Sequence, residues 1–131
     1  MPSPGDIVAS LVCIAMPEGT RITGLDDDQR VVLRAGARFR IGGLKTADVV
    51  VRGPKIVVSQ ASLVVILVDD AGTCRVRDSG HNFQVCVNDD TEPVSAPRAL
   101  DDGDVIEPYL FGKPLGLRFR FQRADNSHAR G

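Results

Sequence analysis

The sequence predicts an all-β domain, a sandwich or a barrel, and three observations carry that expectation. Short apolar runs, rich in Val and other β-branched residues, recur between clusters of Gly, Pro and Asp, which is how strands and turns read in a sequence. The last run alternates with period 2, setting Leu115, Leu117, Phe119 and Phe121 against Gly116, Arg118, Arg120 and Gln122. No window carries a sustained helical stripe. Many short strands at close spacing favour packed or closed sheets over a parallel α/β sheet.

Residues 1–6 are expected to be a flexible lead-in, and 7–122 one domain. The first run, 8–15, ends at Pro17-Glu18-Gly19. Residues 30–33 stop at Ala35-Gly36, 38–41 at Gly42-Gly43, and 48–51 at Gly53-Pro54. The longest run, 57–68, is closed by Asp69-Asp70-Ala71-Gly72. Runs 74–77, 85–88, 105–106 and 115–121 complete the set. Residues 123–131 are polar and unpatterned and are expected to be a flexible tail.

At 131 residues the chain has the length of one domain, and a chain of this size buries about two thirds of its unfolded surface. With one Tyr, five Phe and no Trp, the core has to be aliphatic. Sixteen basic and 17 acidic residues are mixed along the sequence for a net charge of −1, which provides no field for nucleic acid or an anionic membrane. There is no apolar run long enough to span a bilayer, and the opening residues lack the basic stretch of a signal peptide. Cys13, Cys74 and Cys86 are odd in number and lie in apolar stretches, so they read as buried free thiols of an intracellular, reducing compartment.

Enzyme constellations are missing. His81 and His128 have no metal-ligand spacing to a Cys or His, phosphate-cradling glycine loops do not occur, and Ser59, Ser62 and Ser79 lack a nucleophile-elbow pattern. No cofactor, metal or catalytic activity is expected. The acidic clusters at Asp26-Asp27-Asp28, Asp69-Asp70, Asp89-Asp90 and Asp101-Asp102-Gly103-Asp104 lack the alternating ligands and distal Glu of a calcium loop. Their expected work is closing turns by accepting bonds from nearby backbone amides.

From Phe39 to Phe121 the order of signals resembles the forkhead-associated (FHA) domain family. Arg40-Ile41-Gly42-Gly43 is similar to its strand-ending Ile-Gly-Arg, and Ala47-Asp48-Val49-Val50-Val51 to the Asp-Ile-Val that follows. Val57-Val58-Ser59-Gln60-Ala61-Ser62 stands where the family has Val-Ser-Arg-x-His. Val76-Arg77-Asp78 and Val87-Asn88 keep the family's spacing, and Leu100-Asp101-Asp102-Gly103-Asp104-Val105-Ile106 matches Leu-x-x-Gly-Asp-x-Ile. Leu117-Arg118-Phe119-Arg120-Phe121 resembles the final strand. The resemblance implies a β-sandwich of two twisted, mainly antiparallel sheets with about eleven short strands.

It also implies phosphothreonine-peptide binding through loops at one end, and the sequence departs from the family most at those loops. Gly43 replaces a loop-anchoring Arg, and Ser59 keeps the phosphate-contacting Ser. Beside it Gln60 replaces an Arg, and Ser62 replaces the bracing His. In the second loop His81 stands for the phosphate-binding Ser, Asn82 for a Thr, Phe83 for the peptide-gripping Asn and Gln84 for its Gly. Phosphate carries about −1.5 to −2 near neutrality and is best held by Arg. Arg52 and Lys55 are the nearby supporting charges.

The expectation is therefore a protein–protein interaction module in an intracellular scaffold, without the usual phosphothreonine recognition. The nucleus is favoured over the cytoplasm, and nuclear scaffolds and kinetochore assemblies are among the family's settings. A phosphopeptide reader using Ser59, Gln60, His81 and Asn82 stays open, as does a small β-barrel enzyme or ligand carrier. The partner is another protein, phosphorylated or not; a parent multidomain protein or assembly is left open, and neither nucleic acid nor membrane is expected.

Overall fold

The computed structural model describes residues 3–43, 46–53, 62–78, 83–88, 94, 97–110 and 112–124. Among these residues there is no helix, and twelve strands form. They are β1 (Ile7–Ala15), β2 (Arg21–Thr23), β3 (Arg30–Arg34), β4 (Arg38–Gly42), β5 (Val49–Arg52) and β6 (Ser62–Val68). The second half supplies β7 (Cys74–Asp78), β8 (Phe83–Val87), β9 (Arg98–Ala99), β10 (Val105–Leu110), β11 (Lys113–Pro114) and β12 (Arg118–Arg123).

The strands make two six-stranded sheets. The first runs β11-β10-β12-β1-β3, with β8 paired to β10; the second runs β2-β5-β4-β6-β7-β9. Every pairing is antiparallel except β4 with β5. This is the expected sandwich, with separate sheets instead of a closed barrel.

The parallel pair is joined by only residues 43–48, far shorter than the usual crossover. That is possible because just the last two residues of β4 pair with β5, Ile41 with Val49 and Gly42 with Val50. Asp48 fixes the return: its amide donates to the Arg40 carbonyl (3.0 Å) and its carboxylate accepts from the Arg40 amide (2.8 Å).

The core between the sheets is aliphatic with two rings at its centre. Phe119 and Phe121 are fully buried with Leu11, Leu33, Ile41, Ile66, Ile106 and Leu117. The period-2 reading of residues 115–121 holds for burial, since Leu115 is buried too while Gly116 and Arg120 are exposed. It fails for strand continuity. Gly116 has φ +83, a left-handed conformation that breaks the extended chain, and β12 starts only at Arg118. β11 and β12 share one edge of β10, because β8 occupies the other: Ile106 faces Val87 and Phe119, and Tyr109 faces Gln84 and Pro114. Together β11 and β12 act as one strand interrupted at 115–117.

Most of the other apolar runs are strands with ends moved by a residue or two, while 105–106 extends by four residues to Leu110. Within 57–68, β6 covers 62–68, and 54–61 lie outside the described residues. The short strands β2, β9 and β11 have no counterpart among the expected runs. Of the three cysteines, Cys74 and Cys86 are buried, but Cys13 is half-buried, because it lies past Leu11 towards the end of β1; none of the three is in a disulfide.

Candidate functional site

Register brings the ends of five strands together at one end of the sandwich. Gly42 at the close of β4 pairs with Ser62 at the opening of β6, and Asp78 at the close of β7 pairs with Val64. Arg52 at the close of β5 pairs with Arg21, and Phe83 at the opening of β8 with Leu110. The segments 54–61 and 79–82 therefore leave and re-enter the fold at this loop end. The candidate residues Lys55, Ser59, Gln60, His81 and Asn82 fall in those segments, outside the described residues.

Arg52 is the one described member of the candidate set. It is exposed, and its Nη2 donates to the Gly43 carbonyl at 3.5 Å. Gly43 itself is buried. The cation thus reaches across to the position where the family resemblance places a loop-anchoring Arg. Gly53 follows at once, and a side chain there would stand 3.0 Å from both Cα and Oγ1 of Thr20, so the 16–20 loop closes against the strand end.

The opposite, closed end carries the motif pieces that the sequence keeps. Asn88, at φ +56, donates from Nδ2 to Asp104 Oδ1 (2.8 Å), and its Oδ1 accepts the Val105 amide (2.9 Å). Asp104 Oδ2 takes the Asp101 amide (2.8 Å), closing the turn in which Gly103 has φ +91. The Gly103 amide donates to the Phe121 carbonyl (2.8 Å). Asp104 is the one buried polar or charged side chain among the described residues. Ile106 is fully buried beside it.

Turn closure by aspartate holds elsewhere. Asp26 Oδ1 accepts from the amides of Asp28 and Arg30, and Asp69 Oδ1 from those of Ala71 and Thr73. The Thr73 amide is the main reason the Asp69 carboxyl lies below its ordinary range, with Arg75 at 3.1 Å adding to it. Asp89 and Asp90 lie outside the described residues. Burial pushes the Cys74 thiol up to about 11 and raises that of Cys13, so neither is disposed to ionise at neutral pH. Among the described residues no group of three His, Cys, Asp or Glu side chains is placed to hold a metal.

Sequence reasoning missed the outer face of the first sheet. Every large exposed hydrophobic among the described residues belongs to this sheet or to the turn after β1: Ile7, Ile14, Met16 and Val32. A signal was present in Val31-Val32-Leu33, where alternation on a half-buried strand calls for a polar residue at 32.

This two-sheet topology is that of forkhead-associated domains. The chain superimposes on the FHA domain of the CT664 protein of Chlamydia trachomatis with a TM-score of 0.62 and 17% identity, covering 88% of this chain and 96% of that one. For the FHA domain of an Arabidopsis thaliana hypothetical protein the TM-score is 0.64 at 16% identity, with 94% and 92% covered. The MEK1 FHA domain gives 0.58 at 19%, with 88% of each chain covered. No family model matches the sequence, and no curated protein matches it. The likeness is one of fold.

Proposed function

We propose that this domain is a non-enzymatic protein–protein interaction module of an intracellular scaffold, and that it does not read phosphothreonine in the manner usual for its fold. The observation that carries this is the state of Arg52. The one candidate cation that can be placed is bonded to the Gly43 carbonyl, bracing the loop end instead of standing free for a phosphate. Gly43 and Gln60 stand where the family resemblance places two arginines, so those donors are missing from the loops. A dianionic phosphate without Arg loses its best charge-assisted bonds. The fold itself supports a partner that is another protein, because domains built this way are read as interaction modules. Three cysteines outside any disulfide suit a reducing intracellular compartment, and the nucleus is our preferred setting within it.

Arg52 also favours a second reading. It is exposed and keeps further N–H groups beyond the one given to Gly43, so with Ser59, His81 and Asn82 it would serve an altered phosphopeptide pocket. NMR titration with a degenerate phosphothreonine peptide library and its unphosphorylated twin separates the two. The interaction-module reading expects no phosphate-dependent shift at Gly43, Arg52, Ser59 or His81. Shifts at those residues with the phosphorylated library alone would replace it with the second reading.

A further inference from the structure

β3 is an edge of the first sheet, since β1 pairs with one side of it and no strand among the described residues pairs with the other. The Cys13 amide donates to the Gln29 carbonyl (2.9 Å), which places Gln29, Val31 and Leu33 in the bonded register with β1. Arg30, Val32 and Arg34 then direct their backbone groups outward. The Asp26 turn takes both backbone groups of Arg30, and the Ala37 amide takes the Arg34 carbonyl. What is left is an open window made of the Val32 N–H and C=O and the Arg34 N–H.

The side chains around that window have a definite chemistry. Arg30, Val32 and Arg34 all face the outer side and are exposed. Beside them is a groove of about 330 Å³ lined by Ile7, Ser10, Arg30, Val32, Gln122 and Arg123. Two strands in from β3, Arg120 pairs in register with Val12, which also faces Arg30. Among the described residues no carboxylate pairs with Arg30, Arg34 or Arg120; Arg34 gives Nη1 to the Gly5 carbonyl (2.9 Å) and keeps its other N–H groups for a partner, and the Asp26 carboxylate accepts backbone amides.

Charge also decides between occupants. A second copy adding its own β3 antiparallel about Val32 would set Arg30 opposite Arg34, and like charges directly opposite are destabilising. An acidic strand meets the same positions with opposite charge. We infer that β3 is a strand-addition site for an extended, unphosphorylated acidic segment of a partner protein, with an apolar residue against Val32 and carboxylates two residues to either side meeting Arg30 and Arg34. This rests on the reading of the chain as an interaction module and gives that reading a surface away from the loops.

The test uses the whole chain and two synthetic peptide pools of fixed pattern Glu-x-Val-x-Glu and Lys-x-Val-x-Lys, followed by NMR. The Glu pool is expected to shift the amides of Val32 and Arg34. Val32→Pro removes an outward N–H without touching the β1 ladder, as an edge strand tolerates, and should weaken binding about tenfold. Val32→Glu, exposed and harmless to the core, should weaken it as well. In the pair Arg30→Glu with Arg34→Glu the preference should pass to the Lys pool. Glu-pool binding that ignores all these variants, or no shift at β3, overturns the inference. Shifts confined to Gly43, Arg52 and Ser62 would overturn it too, while leaving the interaction-module reading standing.

Discussion

Asn88 and Asp104 are bonded side chain to side chain at 2.8 Å, although they are sixteen residues apart and belong to two separate motif fragments. The contact fastens the end of β8 to the start of β10. Asn88 holds φ +56, which Asn tolerates better than most residues, and Asp104 is buried with both carboxylate oxygens occupied. Removing Asn88 strands the buried Asp104 carboxylate, whereas removing Asp104 leaves Asn88, which is exposed, to water.

Asn88→Gly relieves the backbone and deletes only the side-chain bonds, so it should cost about 1–3 kcal/mol in urea unfolding. Asn88→Ala should cost about 1 kcal/mol more, because Ala at positive φ adds strain. A double-mutant cycle with Asp104→Ala should be non-additive by at least about 0.5 kcal/mol. Additive losses would show that the pair does not act as a unit.

Ile106→Asp places an unpaired carboxylate in the fully buried core between Val87 and Phe119. Its cost is several kcal/mol, comparable with the whole stability of a domain. The variant should show no cooperative thermal transition and no dispersed amide spectrum. A soluble variant that melts cooperatively would contradict the topology.

Gly24 at φ +104 lies so close to the Asp48 carbonyl that any Cβ would collide with it. Gly24→Ala should therefore destabilise by more than the roughly 1 kcal/mol of left-handed strain alone. The readout is the urea midpoint with an unchanged slope. A neutral effect would show that the β2 and β5 backbones can separate there.

Cys74 supplies a pH test. The thiol ionises near 9.0 when ordinary and near 11 in the folded protein, where it is fully buried. Its contribution to stability is fully present below about pH 9 and is lost as pH rises towards 11. Over that window the wild type should lose about 2 kcal/mol more than Cys74→Ala, a comparison that cancels the lysines and Tyr109. Parallel slopes would count against burial of this thiol. In the native state alkylation should reach Cys13 before Cys74, and after unfolding without reductant all three thiols should label.

The sandwich was legible because burial imposes period 2 on its strands. Phe119 and Phe121 advertise an inward face, and Asp26, Asp69 and Asp104 advertise turns. What stayed hidden depends on partners distant in sequence. Arg98–Ala99 and Lys113–Pro114 are exposed pairs that become strands only because β7 and β10 offer free edges. Gly116 looks like one more polar position in an alternating run, and only Pro17 packed 3.1 Å from where a side chain would be shows why the strand breaks. For the site, the sequence announced which residue types fill the loops, whereas the use of Arg52 on Gly43 needed geometry.

The fold separates its fastening from its recognition surface. Asn88, Asp104 and the Arg123 guanidinium, which donates to the Gly72 carbonyl at 3.0 Å, close one end. Segments 54–61 and 79–82 are anchored at the other. A protein engineer could randomise both segments in one library and leave every one of these fastening contacts in place.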